Sequence, residues 1–484
     1  MQQTAVEKNK IYQAEITSFT SEGNGICRIN DFAVFVSGAV LGDVLEIKIV
    51  KVNKSYAYAK ILNIMKPSPH RTAEKCGYAK KCGGCKLMHI DYNFQLEMKK
   101  TIVSDALERI GGFSNVKVND TIGMEYPYEY RNKMQFPVSE KDGKIVCGFY
   151  RERSHDIVDI KSCITGPGVC ESIVFAVKEY MRFSNTPPYN EANHSGAIRN
   201  IFIRTAKSGV MVVVVSRKKL NSPELLTKLI CEKCSKVVSV YININDKKTN
   251  LILGDKYIHV YGEKKLTDVI GDFKFEISPS SFYQINPLQT QKLYSAAAEF
   301  ANPGENETVV DLYCGIGTIS MFMAKKAKKV IGIEIVPQAI ENAKENAKKN
   351  GLGNLSFYCG DAGKLADFLY KADEKADIVV FDPPRKGADE LALNTILKLS
   401  PKKIVYVSCN PSTLARDLKY LAQNGGYELK KVQPVDMFCH TTHVETVCLM
   451  CKPYVACAQR TCKPYRYARL RKPCKKQRRS TQTD

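Results

Sequence analysis

From about residue 277 onward, short apolar segments alternate with longer helical ones, and this alternation constrains the fold more than any other feature of the chain. Ala339, Ala343 and Ala347, spaced four apart, line one face of a helix predicted between residues 338 and 350. Repeated strand–helix units favour a parallel sheet with helices on both faces. The predicted strands cover residues 309–311, 330–334, 355–358, 378–381 and 404–407.

The remainder of the chain has a different character. In the first 66 residues Leu45, Ile47 and Ile49 alternate with polar residues, which fits a small five-stranded barrel of the oligonucleotide-binding type. A strand-rich α+β region follows, and it starts with a helix predicted between about Phe94 and Ile110. The sequence thus predicts a multi-domain α/β protein. Its predicted parts are a barrel (1–66), a central domain (67–275), a domain with the parallel sheet (276–452) and a disordered basic tail (453–484).

Charge and cysteine usage narrow the function. The 484 residues carry a formal net charge of +22, which points to a polyanionic partner. From Lys452 onward there are eleven Lys or Arg residues and one acid, so the tail supplies +10 and the body +12. No apolar run reaches the roughly 20 residues of a membrane helix, and no secretory signal is evident. We expect a cytoplasmic protein that binds nucleic acid and no membrane, whose 18 cysteines are not disulfides.

A glycine-containing loop follows the first strand of the parallel sheet, Asp311-Leu-Tyr-Cys-Gly-Ile-Gly-Thr318. Gly315 and Gly317 let the backbone approach a ligand that a side chain would block. Glu334, at the end of the second strand, can accept hydrogen bonds from both hydroxyls of a ribose, and Asp361 can face an adenine. S-adenosylmethionine, which has a ribose but no phosphate, fits this pattern. A nicotinamide cofactor is the alternative, and Ser320 in place of a third glycine counts against it.

Three further segments are predicted to meet at the carboxyl edge of the sheet: Asp382-Pro-Pro-Arg385, Ser408-Cys-Asn-Pro411 and the segment ending at Glu445. Together they suit methylation of uracil at carbon 5. A thiolate, here Cys409, must add to carbon 6 so that carbon 5 can attack a sulfonium methyl group. A base, here Glu445, must then remove the carbon 5 proton.

A compact cysteine motif, Cys76-x5-Cys82-Gly-Gly-Cys85, lies in the central region. Zinc sites usually pair two C-x-x-C elements, and no second clean pair lies within reach. Three thiolates with one distant fourth suit a 4Fe–4S cluster. The spacing leaves three candidates for the fourth ligand: Cys147, Cys163 and Cys170.

With these motifs in view, residues 8–451 resemble the RNA uracil-5-methyltransferase family, and within it the iron–sulfur enzymes that modify 23S ribosomal RNA. The resemblance implies an N-terminal TRAM barrel that binds RNA, a Rossmann-like C-terminal methyltransferase domain, and a helix near 94–122 that packs on the catalytic domain. It implies Cys409 as nucleophile, Glu445 as base and Cys163 as the fourth cluster ligand. The cofactor contacts that it implies, beside the loop glycines, are Gln284, Tyr313, Thr318, Glu334, Asp361 and Asp382.

Other readings remain at this stage. The same chemistry on transfer RNA is one alternative, because no catalytic residue reads the substrate. A non-catalytic RNA-binding ribosome-assembly factor and an iron–sulfur oxidoreductase are two others. Arg131 and Lys133 either contact RNA or lie on a solvated strand edge. Cys439 departs from the family pattern, which usually has Pro or Gly there. We expect a monomer with S-adenosylmethionine and a 4Fe–4S cluster as cofactors.

Overall fold

The computed structural model describes residues 6–364, 369 and 375–453, so the predicted disorder of the tail lies outside the described residues apart from residue 453. The first six strands are β1 (Ile11–Glu15), β2 (Ser18–Phe19), β3 (Gly25–Ile29), β4 (Phe32–Val36), β5 (Val44–Val52) and β6 (Tyr56–Lys66). They form one sheet in the order β1-β5-β6-β4-β3-β2. The alternating side chains of Leu45, Ile47 and Ile49 are fully buried in its core, as the sequence predicts.

The structure has six strands here rather than the predicted five, because the first strand is interrupted at residues 16–17. β1 pairs with β5 at one edge of the sheet, while β2 pairs with β3 at the other. Residues 11–19 therefore act as one bent strand that joins the two edges. The barrel expected for the N-terminus is present, with its first strand in two pieces.

A long helix, α1 (Tyr92–Ala106), continues into a π-helical turn (Leu107–Gly111). Asp91 caps its start, where the Asp91 Oδ1 atom accepts a hydrogen bond from the Phe94 backbone N–H at 2.9 Å. Gly112, at φ 77°, ends it in the left-handed conformation that favours glycine. Val103, Ala106 and Leu107 pack into the same buried cluster as strands of the C-terminal sheet. The second half of α1 therefore packs on the C-terminal layer, whereas Phe94 and Met98 in its first half pack with nearby Leu87 and Ile90.

The central region is built on a second, seven-stranded sheet. Its elements are β7 (Lys133–Lys141), β8 (Lys144–Tyr150), β9 (Ile157–Asp159), α2 (Cys170–Phe183), β10 (Ile198–Ala206), β11 (Gly209–Ser216), α3 (Pro223–Lys233), β12 (Val237–Ile244) and β13 (Lys256–Gly262). The strand order is β13-β12-β11-β10-β7-β8-β9. Helices α2 and α3 bury their apolar sides against one face of this sheet. A separate hairpin follows, β14 (Leu266–Ile270) and β15 (Phe273–Ile277), and the domain boundary predicted after residue 275 falls inside it.

The C-terminal region alternates strands and helices. Its elements are α4 (Pro287–Ala301), β16 (Thr308–Leu312), α5 (Thr318–Ala324), β17 (Lys329–Glu334), α6 (Pro337–Lys349), β18 (Leu355–Cys359), β19 (Ile378–Phe381), α7 (Glu390–Leu399), β20 (Lys403–Ser408), α8 (Pro411–Gly425), β21 (Glu428–Val435) and β22 (Glu445–Cys451). The strand order is β18-β17-β16-β19-β20-β22-β21. The five strands predicted from the sequence are all present and mutually parallel.

Two further strands, which the sequence analysis did not predict, make the sheet a mixed one. β22 lies antiparallel to β20, and β21 lies antiparallel to β22. No short glycine turn joins β21 to β22, and β21 is an edge strand with exposed charged side chains, so the usual hairpin signal is missing. The mixed sheet brings the start of β22 to the edge where the parallel strands end. Among the described residues, none of the helices combines the length and apolar character needed to span a bilayer.

Candidate active site

Cys409 and Glu445 lie at the ends of two neighbouring strands. β20 and β22 are antiparallel, and the last residues that pair at this end are Ser408 and Thr446. Cys409 follows β20 and Glu445 begins β22, so both residues lie next to this last pair. The Glu445 carboxylate is near enough to raise the pKa of Cys409. Glu445 is only 5% exposed, and Cys409 is partly buried. The structure thus brings together the two residues that the sequence proposes as nucleophile and base.

Burial and charge set the protonation of this pair. Burial raises the pKa of Glu445, and the nearby Asp382 carboxylate raises it further. Burial also raises the pKa of Asp382. The pKa of Cys409 is raised to about 11 by burial first and then by these two carboxylates, which the Arg385 guanidinium partly offsets. In the free protein at neutral pH the thiol is therefore protonated, while Glu445 accepts a proton more readily than a surface glutamate would.

A buried acid that sequence reasoning missed holds the Asp382–Arg385 turn in place. Asp417, on α8, accepts hydrogen bonds from the Ala388 backbone N–H at 3.0 Å and from the Tyr406 hydroxyl at 2.7 Å. Asn410 adds a hydrogen bond from its side-chain amide to the Arg385 carbonyl oxygen at 3.1 Å. The turn after β19 is thereby attached to the strand and helix that flank Cys409. No local motif marks Asp417, because all its partners except Arg416 are distant in sequence.

The loop after β16 has the backbone geometry expected of a ligand loop. Tyr313, Gly315 and Gly317 all have positive φ, at 65°, 56° and 82°. Open space lies where Gly315 would carry a side chain, as predicted for a ligand approach. Gly317 differs from expectation, because a Cβ atom there would lie 2.9 Å from the ring of Phe357. Its missing side chain makes room for packing. Glu334 Oε2 accepts a hydrogen bond from the Gly315 N–H at 3.2 Å and thereby links the two strand ends.

Ser320, the residue that replaces a third glycine, has a visible role. Its hydroxyl donates a hydrogen bond to Asp311 Oδ2 at 2.5 Å inside the protein. Burial raises the pKa of Asp311 to about 7. Its other carboxylate oxygen is buried and has no hydrogen-bond partner. Buried polar atoms normally find a partner, so this unpartnered oxygen at the end of β16 is an exception.

Tyr294, on α4, is a second residue that the sequence did not single out. Its ring is almost fully buried, and burial raises its pKa, with a further contribution from Asp382. The side chains of Thr318 and Gln284 act in the opposite direction through hydrogen bonding. Two residues predicted to contact the cofactor therefore share one buried hydroxyl. Asp361 lies after β18, where its Oδ1 atom accepts a hydrogen bond from the Lys364 N–H at 3.1 Å.

The cysteines of the central region gather around one small cavity. The cavity has a volume of about 60 Å³, and its lining includes Cys76, Cys82, Cys85 and Cys163. Burial raises the pKa of Cys85 to about 12, and the charge of Cys163 adds to the shift. Among residues 6–364, 369 and 375–453, no three His, Cys, Asp or Glu side chains are arranged to hold a single metal ion.

Neither of the other two candidates for a fourth ligand lines this cavity. Cys147 and Cys170 are buried instead in the apolar core between the central sheet and its helices. Arg131 lines the cavity, and its Nε atom is buried without a hydrogen-bond partner. Of the two sequence-based interpretations of Arg131, a solvated strand edge does not describe this position. Lys133 is the first residue of β7, two positions after Arg131, and its ammonium group lies 5.8 Å from the centre of the Phe282 ring.

Comparison with known proteins agrees with this geometry. The family model for tRNA (uracil-5-)-methyltransferases matches residues 92–453, and the TRAM domain model matches residues 5–62. The chain belongs to the tRNA (uracil-5-)-methyltransferase family. Members of this family are RNA methyltransferases, and the family resemblance expected from the sequence is confirmed. The N-terminal barrel is a TRAM domain, and the protein is an S-adenosylmethionine-dependent RNA methyltransferase.

The similarity to known relatives of this uracil-5-methyltransferase family member extends along most of the chain. An uncharacterized RNA methyltransferase of Clostridium tetani is 47% identical over 448 residues, which cover 92% of this chain and 97% of that protein. One from Halalkalibacterium halodurans is 46% identical over 452 residues, 93% of this chain and 98% of that protein. The crystal structure of Pyrococcus abyssi tRNA (uracil-54, C5)-methyltransferase in complex with S-adenosyl-L-homocysteine has a TM-score of 0.72 and 26% identity. The matched region covers 91% of this chain and 100% of the Pyrococcus abyssi chain.

Proposed function

We propose that the protein methylates carbon 5 of a uridine in 23S ribosomal RNA, with Cys409 as the nucleophile and Glu445 as the base. The observation that carries the proposal is that both residues lie next to the last pair of β20 and β22, Ser408 and Thr446, at the edge where ligands of open α/β sheets bind. A pyrimidine between the two side chains would have its carbon 6 toward the thiol and its carbon 5 within reach of the carboxylate. Access to a single base requires that it be unstacked from its neighbours.

The reaction that we propose balances as follows. The Cys409 thiol first loses its proton to water, and the thiolate sulfur bonds to carbon 6 of the ring. Carbon 5 then takes the methyl group, so that S-adenosylhomocysteine leaves. Glu445 then takes the proton from carbon 5, the carbon 6–sulfur bond breaks, and the thiolate is released. The proton passes from Glu445 to water. Arg385, which lowers the pKa of Cys409, favours the thiolate at the start and at the end of this sequence.

The chain's own residues fit S-adenosylmethionine, which supplies the electrophilic sulfonium methyl group. Gly315 borders open space, so a ligand can approach its backbone. We propose that the cofactor contacts come from Gln284, Tyr313, Gly315, Gly317, Thr318, Glu334, Asp361 and Asp382.

The domain limits 1–66, 67–275, 276–452 and 453–484 stay predictions. Because β15 runs to residue 277, we propose to move the boundary after residue 275 to a point beyond this strand.

We also propose that Cys76, Cys82, Cys85 and Cys163 hold a 4Fe–4S cluster. The proposal is supported by the four thiols that line one cavity, since a 4Fe–4S cluster is held by four cysteine thiolates. The unpartnered Nε–H group of Arg131 fits an anionic group in that cavity. Iron and acid-labile sulfide should copurify with the protein in equal amounts, and Cys163→Ser should lower both. Cys170→Ser, at a rejected candidate, is the matched control, and equal loss in both variants would contradict the assignment.

Ribosomal and transfer RNA are the two substrates to separate. The cluster motif favours ribosomal RNA by its resemblance to the cluster-containing enzymes, whereas the family description and the Pyrococcus abyssi structure name transfer RNA. Mass spectrometry of both RNA pools, from cells with and without the gene, separates them. We expect 5-methyluridine to disappear from 23S ribosomal RNA only. Disappearance from transfer RNA supports the second substrate, and an unchanged nucleoside content in both pools refutes uridine methylation.

A further inference from the structure

The segment that carries Glu445 is held from outside along its whole first half. We name residues 436–445, between β21 and the first residue of β22, the base loop. Each of five successive backbone carbonyl oxygens in it accepts a hydrogen bond from a group elsewhere in the chain. The donors are Gln289 Nε2 to Asp436 (3.0 Å), Asn286 Nδ2 to Met437 (3.2 Å), Lys99 Nζ to Phe438 (3.0 Å), the Tyr130 hydroxyl to Cys439 (3.1 Å) and the Leu87 N–H to His440 (3.0 Å). The path of the base loop is therefore fixed by four distant segments.

An ion pair with no exposed surface lies at the centre of these contacts. The side chains of Lys99, on α1, and Asp436 are both fully buried and form a salt bridge. The other carboxylate oxygen of Asp436 accepts a hydrogen bond from the Tyr92 hydroxyl at 2.6 Å. Lysine is almost never fully buried unless it is paired. Such pairs contribute little net stability compared with apolar residues of similar volume, so the value of this one lies in the geometry that it imposes.

A second residue of the base loop, His440, is held in a strained backbone conformation. His440 has φ 62°, in the left-handed region that non-glycine residues rarely adopt. Its backbone N–H donates to Gln95 Oε1 at 3.1 Å, and its ring Nδ1 lies 3.2 Å from Gln95 Nε2. Burial lowers the pKa of His440 to about 4, so the ring is neutral. Gln95 and Lys99 lie one turn apart on α1, and both form hydrogen bonds with the base loop.

We propose that Lys99 is a positioning residue for the base. By holding Asp436 and the Phe438 carbonyl, it fixes the base loop so that Glu445 points at the carbon 5 proton across from Cys409. Lys99 contacts neither RNA nor cofactor in this arrangement, and its effect passes through the backbone of the base loop. The inference rests on the proposed function and adds to it the residue that aligns the second half of the reaction.

The two halves of the reaction respond differently to a misaligned base. Bond formation between Cys409 and carbon 6, and methyl transfer to carbon 5, precede the action of Glu445. Loss of the carbon 5 proton and cleavage of the carbon 6–sulfur bond require it. A displaced base loop therefore leaves a methylated RNA covalently attached to Cys409. A purely structural defect would slow both halves alike.

The test replaces the ion pair with apolar groups, Lys99→Met together with Asp436→Leu, so that no buried charge is left unpaired. The assay is a single turnover with enzyme in excess over RNA, so that enzyme trapped in the covalent complex does not limit methyl transfer. RNA with tritium at uridine carbon 5 then reports the two halves separately, as methyl incorporation and as tritium release. Displacement of a reacting group by about 1 Å lowers the reaction rate on the order of 100-fold. We expect tritium release to slow by roughly tenfold to 100-fold, methyl incorporation to stay within about threefold, and the covalent complex to accumulate.

Lys100→Met is the matched control, because Lys100 follows Lys99 on α1 but pairs with Asp120 at the surface. It should leave both rates unchanged. Should the double variant unfold, Tyr130→Phe, which deletes one hydrogen bond to the base loop and keeps the ring, gives the same readout. Tritium release at the wild-type rate, or equal slowing of both halves, overturns the inference. If the wild-type protein itself releases no tritium from any uridine, the proposed function fails instead.

Discussion

Glu445→Gln removes one of the two carboxylates that raise the pKa of Cys409, and the consequence can be worked out without any substrate. The thiol pKa of about 11 is two units above its ordinary value of 9.0. That shift means roughly 100-fold less thiolate at a given pH below 9. Two unit charges roughly 6 Å apart at an effective dielectric of about 20 interact by about 3 kcal/mol, or about two pKa units. This figure is an upper bound, because burial is the largest cause of the shift and Asp382 shares the rest with Glu445. We therefore expect a smaller gain, with Cys409 about tenfold more reactive at pH 9.

The assay is alkylation by iodoacetamide across a pH series, with mass spectrometry of the peptide that contains Cys409. Only the thiolate reacts, so the wild-type rate should keep rising with pH beyond pH 9, toward about 11. Cys359 is exposed in the same protein and serves as the internal reference for reagent activity. A wild-type profile that levels off below pH 9, or an unchanged rate in Glu445→Gln, would refute the electrostatic account of this site.

Three further outcomes are expected. With RNA and S-adenosylmethionine, Glu445→Gln should form a methylated covalent complex that survives denaturing electrophoresis, since no group removes the carbon 5 proton; turnover at the wild-type rate would exclude Glu445 as the base. Asp382→Asn should raise the thermal unfolding midpoint at pH 8 more than at pH 5. A raised pKa means that the folded state binds more protons than the unfolded chain, so stability falls as pH rises through that interval. Gly317→Ala should cost more unfolding free energy in urea than Gly351→Ala. Both glycines have positive φ, where a side chain costs about 1–2 kcal/mol, but only an alanine at residue 317 would also contact the ring of Phe357. Equal losses in the two variants would contradict the packing role of Gly317.

The parallel strands of the catalytic sheet could be predicted from the sequence, because each is marked by a local pattern. Each buried strand is a short apolar run, and the glycine loop and Asp382–Arg385 turn follow strands directly. The positions of Cys409 and Glu445 at one edge follow from that pattern together with the resemblance. The same argument could not supply the register of β20 with β22, which is what places both residues next to the last pair of these strands. Register between distant strands depends on packing of the whole sheet.

The residues missed by sequence reasoning share one property. Asp417, Tyr294 and Lys99 each act through partners far away in the chain. A lysine in a mixed polar and apolar helix ordinarily lies on the solvated face, so nothing in the pattern of α1 predicts a fully buried Lys99. Only the approach of residues 436–440 makes that position an interior one. The cysteine motif shows the opposite case, since close spacing predicts that Cys76, Cys82 and Cys85 lie together whatever the rest of the fold.

The place of β22 has a consequence for how the protein is made. It is the last strand in the part of the chain that the structure describes, yet it lies inside the sheet, between β20 and β21. Until it is added, the outer edge of β20 has no partner, and that strand consists of residues that are fully buried in the finished protein, Ile404 to Val407. An open apolar edge of this kind is a template for aggregation. Chains interrupted before residue 445 should therefore aggregate and be cleared, rather than persist as enzymes that capture RNA and have no means of letting it go.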